Sequence, residues 1–164
     1  VSQIMLAKAV EEFLTQREFI NVATSDVLGK PNVAPKFLLK ADSGHIYLVD
    51  YVIGRTYKNL THNPRVSIST INKNNLTGYQ INGEVKILRR GNLYDRLIKE
   101  YRRRQIRFSA FRIIQGVREE KRHRHFEASL PEKVVVFMVK VEEIVEISPT
   151  GGLKRKKLKK KARG

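Results

Sequence analysis

Between Tyr51 and Pro64 a β-rich stretch gives way to Gly54 and then to Arg55, Thr56, Lys58 and Asn59, with no carboxylate in the interval. Two cations, a hydroxyl and a carboxamide at the start of a short helix suit an anion. The first turn's N–H groups have no helical acceptors, and the helix dipole is positive there. A bound phosphate fits this chemistry. Arginine can grip two of its oxygens while a threonine hydroxyl and free amides fill the remaining acceptors. A solvated arginine and lysine at any strand-to-helix turn would look the same in isolation, so the surrounding elements have to decide.

Lys36, directly after Pro35, is the next residue of interest. Proline cannot donate a ladder hydrogen bond, so its place inside a β-rich stretch implies an edge, a bulge or the approach of something other than a strand. Strand alternation puts Lys36 on one face with Ala34 and Leu38, and Val33, Phe37 and Leu39 on the other. A solvated edge lysine that guards against aggregation is the plainer reading.

Common catalytic patterns are absent: the chain has no Gly-x-Gly-x-x-Gly, no Walker-type loop, no Gly-x-Ser-x-Gly and no His-Glu-x-x-His. His123 and His125 diverge on a helix, His45 and His62 are isolated, and no cysteine exists to join them, so no metal site is expected. No residue stands out as a dedicated acid, base or nucleophile.

The elements that must position these residues follow from periodicity. Residues 3–16 place Ile4, Ala7, Val10, Phe13 and Leu14 on one helical face. Three strands come next, over residues 18–25, 32–41 and 45–50, separated by Gly29-Lys-Pro31 and Asp42-Ser-Gly44; they read as an antiparallel meander. A short helix spans residues 55–62, a strand 65–71 follows, and then a long strand in which Tyr79, Ile81, Val85 and Ile87 oppose Gln80, Asn82, Glu84 and Lys86. Gly83 within it suggests a bulge. A helical, arginine-rich segment of about residues 92–124 is expected to break near Ser109 or Gly116, and residues 133–147 form a last strand. The fold expected is mainly β with flanking helices, its six antiparallel strands reading as a small barrel more readily than a sandwich.

With 164 residues and 41% hydrophobic content, the chain supports one domain, residues 1–150. The net charge of +17 is uneven: eight basic residues lie between Lys154 and Arg163, leaving +9 for the rest. Residues 151–164 are expected to be a disordered Lys/Arg-rich tail able to hold polyanions without reading sequence, or simply a solubilising one. No apolar run is long enough to span a bilayer, no signal-peptide pattern opens the chain, and the lack of cysteine suits a reducing compartment, so a cytoplasmic location is expected.

The ordered succession of residues 19–26, 29–36, 45–50, 55–60, Asn63-Pro-Arg-Val66 and Gly78-Tyr-Gln-Ile-Asn-Gly83 resembles the pyridoxamine 5′-phosphate oxidase-like, FMN-binding split-barrel family. The resemblance covers roughly residues 18–88 and the last strand. It implies a six-stranded antiparallel split barrel that forms a homodimer with flavin sites at the subunit interface. It also implies noncovalent FMN, with the phosphate on Arg55 and Thr56 and with Lys58 and Asn59 nearby. Val33, Ala34, Pro35 and Lys36 would follow the ring's edge, where the lysine charge would favour the reduced ring. Val49 and Asp50 would line the other approach, and Gln80 would complete the pocket, from the same or the partner subunit. The implied activity is electron transfer between a nicotinamide-type donor and an unidentified acceptor.

Departures from the family pattern bear on that activity. Thr56 stands where many relatives carry lysine, and the Trp- and Arg-bearing C-terminal segment of the true pyridoxamine phosphate oxidases is missing, so that oxidation itself is not expected. Two alternatives stay open: the same fold holding a deazaflavin or haem, and a non-enzymatic module binding nucleic acid or another polyanion.

Overall fold

The computed structural model describes residues 8–42, 44–51, 53–118 and 133–157. The start of the expected opening helix, residues 119–124 of the arginine-rich segment with His123 and His125, and residues 158–164 of the tail lie outside the described residues. The elements run α1 (Lys8–Thr15), β1 (Phe19–Ser25), β2 (Pro31–Asp42), β3 (His45–Asp50), α2 (Arg55–His62), β4 (Arg65–Ile71), β5 (Gly78–Leu88), α3 (Asn92–Arg118), β6 (Val135–Ile147) and β7 (Leu153–Lys157).

The strands form one antiparallel sheet in the order β3-β2-β1-β4-β5-β6-β7, and a further β3–β6 pairing closes the first six into a barrel. This is the split barrel expected from the alternating pattern. Inward residues fill its core: Ile20 and Val22, Leu38, Ile46 and Leu48, Ile68, Ile81, and Phe137 and Val139 are all buried. Each large side chain removed from water there contributes about 1.5–3 kcal/mol. Val10 and Leu14 of α1 join this core at one end, where Phe13 meets Tyr79 edge-on with ring centroids 4.9 Å apart.

Two bulges re-aim the barrel walls. The β5–β6 register shifts between Asn82 and Gly83, as the glycine suggested, and a Cβ at Gly83 would collide with the Lys140 carbonyl. The β2–β3 register shifts between Leu38 and Lys40, so Leu39 has no partner across the ladder. Pro35 is accommodated because β2 pairs with β3 only from Phe37 onward, whereas residues 31–35 pair with β1 alone.

A second core lies outside the barrel. Phe37, Leu39, Tyr47, Val49 and Val136 point outward and are covered by Leu97, Ile98 and Tyr101 of α3. Burial pushes the Tyr101 hydroxyl up to about 12, with the nearby Tyr51 adding to the shift. Arg104 donates from Nη1 to the Leu38 carbonyl at 3.0 Å and to the Leu39 carbonyl, which serves the acceptors exposed by the β2 bulge. Desolvation pushes its guanidinium below the usual arginine value.

Two expectations need correction. α3 runs unbroken through Ser109 and Gly116, because Leu97, Tyr101, Arg104 and Phe108 keep helical spacing along the barrel wall, and one interior glycine costs only about 1 kcal/mol. Residues 153–157 are not a disordered tail but strand β7, paired with β6. The cause is cross-strand charge: Lys157 pairs with Glu143 and Lys154 with Glu146, while the Arg155 guanidinium meets the Glu143 carboxylate at 3.0 Å.

Candidate functional site: the α2 N-terminus and the outward strand band

Gly54 is the N-cap of α2 and offers no side-chain cap, and the first helical bond runs from the Lys58 amide to the Gly54 carbonyl. The amides of the preceding turn therefore have no acceptor within the helix, and no acidic residue shields them. Arg55 and Lys58 are exposed beside this turn. A further cation that periodicity could not place here is Arg89, whose guanidinium lies 5.3 Å from the centre of the Tyr57 ring. This donor set fits a phosphate monoester.

Thr56 and Asn59 occupy the other side of α2, both buried. Asn32 donates to the Thr56 hydroxyl at 3.1 Å, and Asn59 donates to the Thr24 hydroxyl at 3.1 Å. Asn63 donates to Ser25 at 3.1 Å. These bonds satisfy polar groups that burial would otherwise penalise, and they fix α2 against the ends of β1 and β2. Thr24 and Asn32 were not foreseen as part of the site; their inward orientation becomes visible only once the β1–β2 register, Thr24 opposite Asn32, is known.

Lys36 and Asp50 also turn inward. The Lys36 ammonium lies 2.8 Å from Asp50 Oδ1, with side chains 7% and 2% exposed, while Asp50 Oδ2 has no hydrogen-bond partner. The Lys36 charge is thus engaged by Asp50 inside the barrel. The Val49 side chain is enclosed beneath α3. From β2 the exposed Val33 and Pro35 and the half-buried Ala34 remain near the surface.

The outward face of β2, β1, β4, β5 and β6 carries two adjoining rows set by register. One runs Pro35, Asn21, Ser69, Gln80 and Val145; the other runs Val33, Ala23, Ser67, Asn82 and Glu143. Gln80, marked by its place on the polar face of β5, sits in the middle of this band. An open depression of about 250 Å³ lies at its border, lined by Arg17, Phe19, Ile20, Asn21, Ser69, Thr70 and Ile71. Among the described residues no cluster of His, Cys, Asp and Glu could hold a metal ion. No described helix is long and apolar enough to cross a membrane.

The family model for pyridoxamine 5′-phosphate oxidase matches residues 6–147. An uncharacterized protein of Methanocaldococcus jannaschii is 30% identical over 91 residues, 52% of this chain, and the chain spans about 60% of that curated relative's length. A Clostridium acetobutylicum protein related to general stress protein 26 superposes with a TM-score of 0.62 at 14% identity, over 92% of this chain and 93% of that one. HutZ, the haem storage protein of Vibrio cholerae, gives 0.56 at 20% identity over 91% and 93%. An F420 reductase gives 0.52 at 19% identity over 81% and 94%. At such identities the structural likenesses establish the fold alone, and cofactors of both flavin and haem type occur on it. The matched model, spanning nearly every described element, places the chain in the pyridoxamine 5′-phosphate oxidase-like family.

Proposed function

We propose that this protein is an FMN-binding flavoprotein that moves electrons between a nicotinamide-type donor and an acceptor yet to be identified, as a homodimer with the flavin at the subunit interface. The carrying observation is the uncapped, acid-free start of α2 with exposed Arg55 and Lys58 beside it. Arg55, Lys58 and the first-turn amides would hold the phosphate. Thr56 and Asn59 would act from behind by keeping α2 seated, and the β2 segment of Val33, Ala34 and Pro35 would present backbone groups to the ring. Gln80 would contact the ring from the strand band, whereas Lys36 and Asp50 would support the wall beneath it. The bound flavin supplies the redox chemistry; the protein supplies position and electrostatics.

The homodimer is supported by apolar side chains left on the outward band and its border, with Val33 64% exposed, Ile71 50% and Phe19 41%. The polyanion reading is weakened by β7, where Glu143 and Glu146 stand opposite Lys157 and Lys154 and the Glu143 carboxylate also meets the Arg155 guanidinium.

The test is a visible-absorbance titration of the purified protein with FMN, the deazaflavin F420 and haemin in turn. FMN should bind saturably. Arg55→Ala should weaken it about 10- to 100-fold, the worth of a lost charge-assisted contact. Saturable binding of F420 or haemin with none of FMN would overturn the FMN assignment.

A further inference from the structure

Resting on the flavin reading above, we infer that Asn82, Glu143 and Arg155 are positioning residues: they force the Gln80 carboxamide to present its oxygen outward, so that the site selects a ring bearing an imide N–H. The chain of contacts has only one workable polarity. An ionised carboxylate can only accept hydrogen bonds. Glu143 takes one from Asn82 Nδ2 at 2.7 Å through Oε2 and another from Arg155 Nη1 at 3.0 Å through Oε1. Turning the Asn82 amide over would set its oxygen against that carboxylate, so Nδ2 is committed and Oδ1 faces Gln80. Gln80 Nε2 then donates to Asn82 Oδ1 and to Ser67 Oγ, each at 3.4 Å. Gln80 Oε1 is left with no donor among the described residues.

Charge is what gives the chain its direction. Two neutral amides facing each other can flip as a pair at little cost, whereas a pair ending on a carboxylate cannot. The Glu143 carboxyl is held below its usual range by the Asn82 hydrogen bond, against opposing desolvation, with Arg155 lowering it further. Arg155 belongs to β7, so the strand that was expected to be a loose tail reaches the same network as Gln80. An outward oxygen complements the imide N–H of a flavin or deazaflavin ring. A porphyrin presents no such donor at its edge, so the network disfavours haem on this face.

The experiment compares FMN with N3-methyl-FMN, which lacks that donor, on the wild type and on the isosteric Glu143→Gln variant. Dissociation constants come from absorbance titration, and retained folding is checked by thermal melting. The wild type should prefer FMN by about tenfold or more, and Glu143→Gln should narrow the preference to about threefold or less. Tight binding of both ligands by the wild type, or an unchanged preference in Glu143→Gln, overturns the inference while leaving the flavin reading intact. Failure of the wild type to bind FMN at all overturns the flavin reading itself. A ligand-free measurement stands beside it: the side-chain amide ¹⁵N resonances of Asn82 and Gln80 should shift together as acid protonates Glu143, and not in Glu143→Gln. A Gln80 resonance unmoved by that titration would refute the coupling independently of any flavin.

Discussion

Replacing Asp50 with asparagine would strand the Lys36 ammonium inside the barrel. Removing one member of a buried ion pair leaves an uncompensated charge and costs about 3–5 kcal/mol, whereas replacing both members with apolar groups is often neutral. Denaturant unfolding should therefore show a large loss for Asp50→Asn and recovery of most of it in Lys36→Met/Asp50→Leu; a loss below about 1 kcal/mol would mean that water solvates the pair. Arg55, exposed to solvent, should behave oppositely, with Arg55→Ala changing stability by no more than about 0.5 kcal/mol while it weakens the ligand. The residue types of both sites were legible in the sequence. What was not legible was direction: Lys36 sits on the inward face with Leu38, and no periodicity could reveal that Asp50, distant in sequence, lies opposite it. Thr56 and Asn59 illustrate the same limit, since a polar side chain on a short helix can face a ligand or a neighbouring strand, and only the β1–β2 register decides.

At the level of elements, α3 and β7 should respond to pH at opposite ends of the scale. Tyr101 has its pKa raised from the ordinary 10.0 to about 12, so its burial stabilises the fold fully below the ordinary value, and that contribution is lost as pH rises toward 12. Tryptic or exchange mapping should find α3 loosening in that alkaline window, and Tyr101→Phe should move the onset upward. Arg104→Ala should cost about 1.5–3 kcal/mol, because it leaves the carbonyls at the β2 bulge without their charged donor. Glu143 has its pKa lowered, so its contribution is present above the ordinary carboxylate range and disappears as pH falls through the lowered value. The protection of the β7 amides against hydrogen exchange, relative to their intrinsic rates, should accordingly fall in acid, and also in high salt. The strands of the barrel were legible from alternation and turn residues. β7 was not, because Leu153-Lys-Arg-Lys-Lys157 has no apolar face and its pairing depends on acidic residues of β6. The continuity of α3 was missed for a related reason: Ser109 and Gly116 weaken a helix locally, while the wall that holds it is assembled from β2, β3 and β6.

Considered whole, the molecule is a barrel with a core inside and a second apolar layer outside, leaving the band around Gln80 as the wall not claimed by α3. A homodimer built on that band should appear in analytical ultracentrifugation as a two-chain species, and a charged substitution at the exposed Val33 should drive it toward monomer. One architectural fact governs how such a molecule can form. β6 is flanked by β5 along nearly its whole length, by β3 over residues 135–140 and by β7 over residues 143–147. It is thus the keystone of the sheet, yet it is made after every other barrel strand. Until residues 135–147 leave the ribosome, β3 and β5 each present an open edge able to pair with the wrong chain. Nascent chains stopped ahead of Val135 should therefore aggregate or recruit chaperones. Chains extended through Lys157 should not, because β6 joins β3 to β5 and the lysine-rich β7 covers the part of β6 that extends beyond β3.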